Sequence, residues 1–384
     1  MLPLENPLPE ATLVGRIWRP DVSGASLVTL RGERVIDITS RAAPTMRDLL
    51  ELDDPVRHLD GIAGDDLGSL AEIAATSTET AGPDSLHFLP PADLQAIKAA
   101  GVTFAESMVE RVIEEQAAGD PDLAQEIRGK IAGIIGASLS GIVPGSDKAM
   151  KVKEVLITEG LWSQYLEVGI GPDAEVFTKA QPMSSVGWGA AVGLHPMSHW
   201  NNPEPEIVLA VNSRGEIRGA TLGNDVNLRD VEGRSALLLG KAKDNNASCA
   251  IGPFVRLFDA GYGMDDVKAA ELTLKVEGED GFVLDGHSSM TQISRDPESI
   301  VRQTIGRHHQ YPDGFMLFLG TLFAPIQDRD EPGQGFTHKF GDVVTISEPN
   351  LGMLRNIVRL STEAPEWRIG TAATMRNLAA RGLL

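Results

Sequence analysis

Short apolar runs separated by turn residues open the chain. Between residues 12 and 38, Leu13-Val14, Leu27-Val28 and Val35-Ile36 recur with Gly24 and Gly32 between them, a spacing that predicts a small β-meander. Residues 46–52 and 67–75 carry helical periodicity, and a loose Ala-, Thr-, Gly- and Pro-containing stretch follows at 74–83. Pro90-Pro91 interrupts any helix and sets an expected boundary at 86–91, giving a small N-terminal α+β domain, 1–90, and a larger domain, 91–384. In the larger part 92–100 reads as a short helix, 101–104 as a strand, and 107–116 and 123–135 as helices. Strand-like segments then dominate, at 165–170, 175–178, 206–211, 217–222, 271–276, 315–319, 343–347 and 353–358, against helices chiefly at 228–240 and 297–308. That order predicts a β-rich α+β roll or sandwich decorated by helices, not a regularly alternating parallel sheet.

Bulk composition narrows the function classes. The 384 residues are 42% hydrophobic and 23% charged, as in an ordinary globular protein with a full core. A formal charge of −20 repels nucleic acid and anionic membranes, so neither is expected as a partner, and an acidic substrate would need a local metal or converging cations to be captured. The single Cys249 excludes an intrachain disulfide framework and any multi-cysteine metal site. Residues 1–20, punctuated by prolines and glutamates, lack the pattern of a secretion signal, and no run approaches the ~20 apolar residues of a membrane helix, so a cytoplasmic location is expected.

The chemistry concentrates in Pro203-Glu204-Pro205-Glu206 and, after the turn Asn212-Ser213-Arg214-Gly215, in Gly223-Asn224-Asp225-Val226-Asn227. Period two in a strand sends Glu204 and Glu206 to one face, and an antiparallel return brings Asp225 beside them. Three carboxylates this close repel unless a cation sits between them, and an all-oxygen set with open positions suits Mg2+, with Mn2+ as the alternative. The competing reading is a solvated acidic edge that deters strand addition, but the apolar run Ile207-Val208-Leu209-Ala210 directs the strand into a core. Arg229-Asp230, Lys241 and Lys243-Asp244 form a second cluster, which charge pattern alone equally describes as a helix end with screened pairs. A third segment, Gly101 through Arg111, places Glu106 and Glu110 near a helix start, where the helix dipole alone accounts for carboxylates.

The order and spacing of Glu204, Glu206, Asn224-Asp225-Val226, Arg229-Asp230, Lys241, Asp244 and Gly252-Pro253 resemble the fumarylacetoacetate hydrolase superfamily. So do Phe177-Thr178-Lys179, Leu319-Gly320-Thr321, the run Lys339-Phe340-Gly341-Asp342-Val343-Val344, and Leu354-Arg355-Asn356, together covering roughly 92–359. The resemblance implies a mixed β-sandwich roll, a divalent metal at Glu204, Glu206 and Asp225, and a substrate that chelates it through a 2-oxo acid unit. It also implies Lys241 as the active-site lysine, Thr321 at the substrate's acid end, and Ser107, Lys179, Arg229, Thr337 and His338 as further substrate contacts. Hydrolytic members carry a His-x-x-Glu dyad that activates water, whereas the corresponding residues here are Ser107-Met108-Val109-Glu110. Glu110 without its histidine can still move a proton, but it lacks the partner that makes water a nucleophile.

That departure, with Leu161-Trp162-Ser163-Gln164-Tyr165, His199-Trp200-Asn201-Asn202, Lys243-Asp244-Asn245-Asn246 and Gly333-Gln334-Gly335-Phe336-Thr337-His338-Lys339, is similar to the 2-keto-3-deoxy-pentonate dehydratases of the superfamily. The implied reaction is magnesium-dependent loss of water from 2-keto-3-deoxy-D-xylonate or D-arabinonate to give 2-oxoglutarate semialdehyde, by a homodimer or homotetramer. The alternatives are a 2,4-dioxo acid hydrolase and a noncatalytic metal-binding protein.

Overall fold

Alternating apolar positions along the chain become the strands of two packed sheets. The computed structural model describes residues 2–4, 8, 10–104, 108, 142–160, 162–323, 325, 327–330 and 335–384. The larger sheet contains β1 (Leu13–Arg19), β2 (Gly24–Arg31), β3 (Arg34–Asp37), β4 (Asp65–Ser69), β5 (His87–Leu89), β6 (Ala96–Gly101), β7 (Glu175–Ala180), β9 (Pro205–Val211), β10 (Ile217–Asp225), β11 (Cys249–Leu257) and β14 (Phe315–Phe318). Its order is β4-β3-β2-β1-β11-β10-β9-β14-β6-β7, with β5 also pairing with β1. The smaller sheet, in the order β13-β12-β15-β16-β8, contains β8 (Ala191–Leu194), β12 (Glu271–Glu277), β13 (Val283–Ser289), β15 (Val343–Glu348) and β16 (Gly352–Leu360).

Period-two alternation on β9 assigns the layers. Ile207, Leu209 and Val211 are fully buried in the core that also holds Leu274, Ile346 and Leu354 of the smaller sheet. Val208 and Ala210, on the opposite face, pack with Met46, Leu49 and Leu50 of the helix Met46–Glu51. The molecule is thus a β-sandwich roll with a helical layer, the mixed β-rich class expected. Among the described residues no helix is long and apolar enough to cross a membrane.

Several local expectations change. Residues 92–100 were expected to be helical, but β6 runs parallel to β14 and antiparallel to β7, burying Ile97 and Ala99; ladder pairing overrides alanine's helical preference. Asp93 instead accepts the amides of Met46 and Arg47 at 2.6 and 3.1 Å, capping the N-terminus of a different helix. Residues 165–170 fold as the helix Gln164–Ile170, capped by Ser163, in place of the expected strand. The expected helix 228–240 breaks at Gly233 into Arg229–Glu232, a 3-10 turn Ala236–Leu238, and Leu239–Lys243. The segment 86–91 contains β5, which pairs with β1, and β1 in turn pairs with β11. Expected helices 107–116 and 123–135 lie outside the described residues, apart from Met108.

Candidate metal centre and its cleft

The β9–β10 hairpin builds the centre. Gly215, with φ +78°, turns the chain within Asn212-Ser213-Arg214-Gly215, so β10 returns antiparallel to β9. Glu204 and Asp225 face each other across the two strands, exchanging backbone hydrogen bonds of 3.2 and 3.1 Å, and Glu206 lies opposite Gly223. One oxygen from each carboxylate lies within 4.8 Å of the others, and all three residues are buried. Asn202 and Asn227 extend the same ladder by one bridge, and Asn227 Nδ2 donates to Glu204 Oε1 at 3.0 Å.

Two lysines offset part of the negative charge. Lys243 Nζ lies 2.9 Å from Glu204 Oε2 and 3.3 Å from Asp225 Oδ2, with Glu232 at 3.9 Å. Burial opposes its charge, but Asp225, Glu204 and Glu232 outweigh burial and hold its pKa well above the usual lysine range. Lys179 is wholly enclosed; its Nζ sits 3.0 Å from Asp225 Oδ1 and donates to the Lys243 carbonyl at 2.6 Å. Glu206 Oε2 accepts the Gly320 amide at 2.6 Å, yet burial, then Asp225 and Glu204, push its carboxyl well above the usual range. Gly320, at φ +86°, is required there: a Cβ would stand 2.2 Å from Thr103 Oγ1.

The donor set passes a test for a hard divalent ion. With all three buried carboxylates ionised, as ligation of a cation requires, the two ammonium groups leave one negative charge uncompensated, and the buried Asn202 Oδ1 in the cleft wall has no hydrogen-bond partner among the described residues. All the ligating atoms are oxygen, the set that magnesium or manganese takes. The cleft above the triad, about 80 Å³, is also lined by Tyr165, Glu175, Phe177, Arg229, Thr321 and Phe323. A larger cavity of about 650 Å³ lies against β1, the 183–191 loop and the C-terminal helix, but it holds none of the triad, so the candidate metal donors line the smaller cleft.

The expected contacts divide. Arg229 and Thr321 line the cleft. Lys241, expected as the active-site lysine, is exposed and absent from the cleft wall, and Lys243 stands at the carboxylates in its place. Positions two apart on the helix Leu239–Lys243 point to opposite sides, so only one of the two lysines can face inward. Lys179 compensates charge beneath Asp225 and does not reach the cleft surface. Thr337 and His338 brace the chain that leads into Glu204: Thr337 Oγ1 donates to the His199 carbonyl, and His338 Nδ1 pairs with the buried Asp342 at 3.0 Å. Ser107 and Glu110 lie outside the described residues. Asn202 and Asn227 went unassigned from sequence, although each sits two residues from a ligand on an extended segment and so shares its face.

Residues 172–359 match the family described as fumarylacetoacetate (FAA) hydrolase C-terminal. A Haloferax volcanii protein named "Probable 2-keto-3-deoxyxylonate dehydratase" is 32% identical over 194 residues, covering 50% of this chain and 63% of that protein. The 2-dehydro-3-deoxy-D-arabinonate dehydratase of Saccharolobus solfataricus is 31% identical over 183 residues, covering 47% and 57%. The chain therefore spans about three-fifths of the length of the curated relatives it matches. A solved structure of 2-keto-3-deoxy-D-arabinonate dehydratase complexed with magnesium and 2,5-dioxopentanoate superposes with a TM-score of 0.61 at 21% identity, covering 91% of this chain and 99% of that one.

Proposed function

We propose that this chain, a member of the fumarylacetoacetate hydrolase superfamily through its domain at residues 172–359, is a magnesium-dependent hydro-lyase that converts a 2-keto-3-deoxy-D-pentonate to 2-oxoglutarate semialdehyde. The observation that carries the reading is the buried triad Glu204, Glu206 and Asp225, closed from beneath by Lys179 and Lys243 and open to a cleft bearing Arg229 and Thr321. The names of the two relatives and the magnesium in the solved complex support it.

Bound at the triad, magnesium supplies the Lewis acidity that makes the C3 protons of a 2-oxo acid acidic. Glu110 takes one of these protons, and its electron pair passes into the C2–C3 bond. The C4–oxygen bond then breaks, and the hydroxyl leaves as water once protonated by Glu110 or Lys243. Loss of a C5 proton and gain of one at C3, through a dienol, leave a 4,5-enol whose O5 proton passes to C4 to give the 5-aldehyde, so water is the only other product. Arg229 and the Thr321 hydroxyl, which already accepts the Phe323 amide at 3.1 Å, hold the acid's oxygens. Lys243 takes the role expected of Lys241, and Thr337 and His338 act through the chain they brace. Ser107 replaces the dyad histidine of the hydrolases and leaves water unactivated. The same reading includes a cytoplasmic homodimer or homotetramer, which light scattering would measure.

The purified chain, incubated with 2-keto-3-deoxy-D-xylonate, 2-keto-3-deoxy-D-arabinonate and an acylpyruvate, should form aldehyde from a deoxypentonate only, and only without EDTA. Preferential consumption of the acylpyruvate, or full activity in excess EDTA, would overturn the assignment. Glu110→Gln should abolish turnover with magnesium affinity unchanged, and near-normal turnover would remove Glu110 from the mechanism.

A further inference from the structure

The segment that enters the metal centre also carries an aromatic ring beneath the cleft's arginine. The Trp200 ring lies 4.1 Å from the Arg229 guanidinium carbon, within cation–π range, and Arg229 lines the cleft. Trp200 Nε1 donates to the Phe336 carbonyl at 3.1 Å, which fixes the ring's orientation. Around it, the Asn201 amide donates to Thr337 Oγ1 at 3.3 Å and the His338 amide to Asn201 Oδ1 at 3.3 Å. The Phe336–His338 strap is itself anchored: Asp342, fully buried, receives His338 at 3.0 Å and Arg329 at 2.6 and 2.8 Å. From the other side, Asp230 accepts Ser198 Oγ and the His199 amide, both at 2.7 Å, tying the start of the arginine's helix to the same segment.

We propose that Trp200 is a positioning residue that presents Arg229 to the anionic end of the bound oxo acid. Stacking suits this task because it orients the guanidinium plane without neutralising its charge and without occupying its in-plane N–H donors. Only three residues separate Trp200 from Glu204, so one braced piece of chain sets both the cation and a metal ligand, and hence their spacing. In a chain of net charge −20, a fixed local cation is what an acidic substrate requires. The inference rests on the reading of the cleft as an oxo-acid site.

Its test reads binding instead of turnover: calorimetric titration of oxalate into magnesium-saturated protein, for wild type, Trp200→Leu, Trp200→Phe, Arg229→Lys and the Trp200→Leu/Arg229→Lys double variant. Trp200→Leu and Arg229→Lys should each weaken oxalate roughly three- to tenfold, and the double variant should lose no more than the worse single one. Trp200→Phe, which keeps a ring for the stack, should stay within about twofold of wild type. Magnesium affinity measured without oxalate should be equal in all five proteins. Unchanged oxalate binding in Trp200→Leu, additive losses in the double variant, a parallel fall in magnesium affinity, or no oxalate binding by the wild type would each overturn the proposal. A protein that binds oxalate in this pattern yet leaves 2-keto-3-deoxypentonates intact would sink the dehydratase assignment and leave Trp200's role standing.

Discussion

Replacing Lys243 with methionine isolates the charge balance of the centre, since the substitution keeps the buried stem and deletes the ammonium. That ammonium lies 2.9 Å from Glu204 and 3.3 Å from Asp225. At an effective dielectric of about 20, each contact is worth roughly 5 kcal/mol before desolvation is subtracted. Removing one partner of a buried ion pair costs about 3–5 kcal/mol net, because the remaining charges are left uncompensated. Lys243→Met should therefore lose about that much stability in EDTA, seen as a lower urea midpoint. A divalent ion neutralises the same oxygens, so magnesium should restore more stability to the variant than it adds to wild type, where an ion at 100 times its Kd contributes about 2.7 kcal/mol. Turnover should be lost in either case. Urea unfolding of both proteins, with EDTA and with saturating magnesium, gives the four midpoints needed. Equal midpoints in EDTA, or an identical magnesium increment in the two proteins, would refute the argument that lysine and metal compensate the same charge.

Three further outcomes follow from the same geometry. Burial, then Asp225 and Glu204, raise the Glu206 carboxyl well above the usual carboxylate range, so in the metal-free folded state it keeps its proton to higher pH than in the unfolded chain. Its contribution to stability is fully present below the unfolded pKa and is lost as pH rises through the raised folded value, so metal-free stability should fall across that window. Magnesium binding there should release a proton, visible as a calorimetric enthalpy that varies with the buffer's ionisation heat; a buffer-independent enthalpy would count against a shared proton at the triad. A Cβ at Gly223, directly across from Glu206, would meet Phe318 at 2.3 Å and Val208 at 2.5 Å. Gly223→Ala should thus cost about 1–3 kcal/mol in urea unfolding and weaken magnesium binding as the hairpin shifts, and an unchanged metal affinity would show that the carboxylates tolerate that shift.

What could be read along the chain, and what could not, divides by range. The i,i+2 spacing of Glu204 and Glu206 and the Asn-Ser-Arg-Gly turn are local signals, and they suffice to converge three carboxylates because a hairpin needs no distant partner. β11 was not among the expected strands; it runs through Gly252-Pro253 where its ladder with β10 shifts register, between Ala220 and Leu222. Its neighbour β1 comes from more than 200 residues upstream, a pairing that hydrophobic period cannot encode and that joins the first ninety residues to the strands bearing the carboxylate triad. Lys243 shows the same limit at the smallest scale. Two lysines stand two residues apart, and which one faces Asp225 depends on the phase of a five-residue helix, set by burying Ala242 and Lys243. A charge pattern therefore locates such a centre within a turn of helix, while the cation that completes it is chosen by packing.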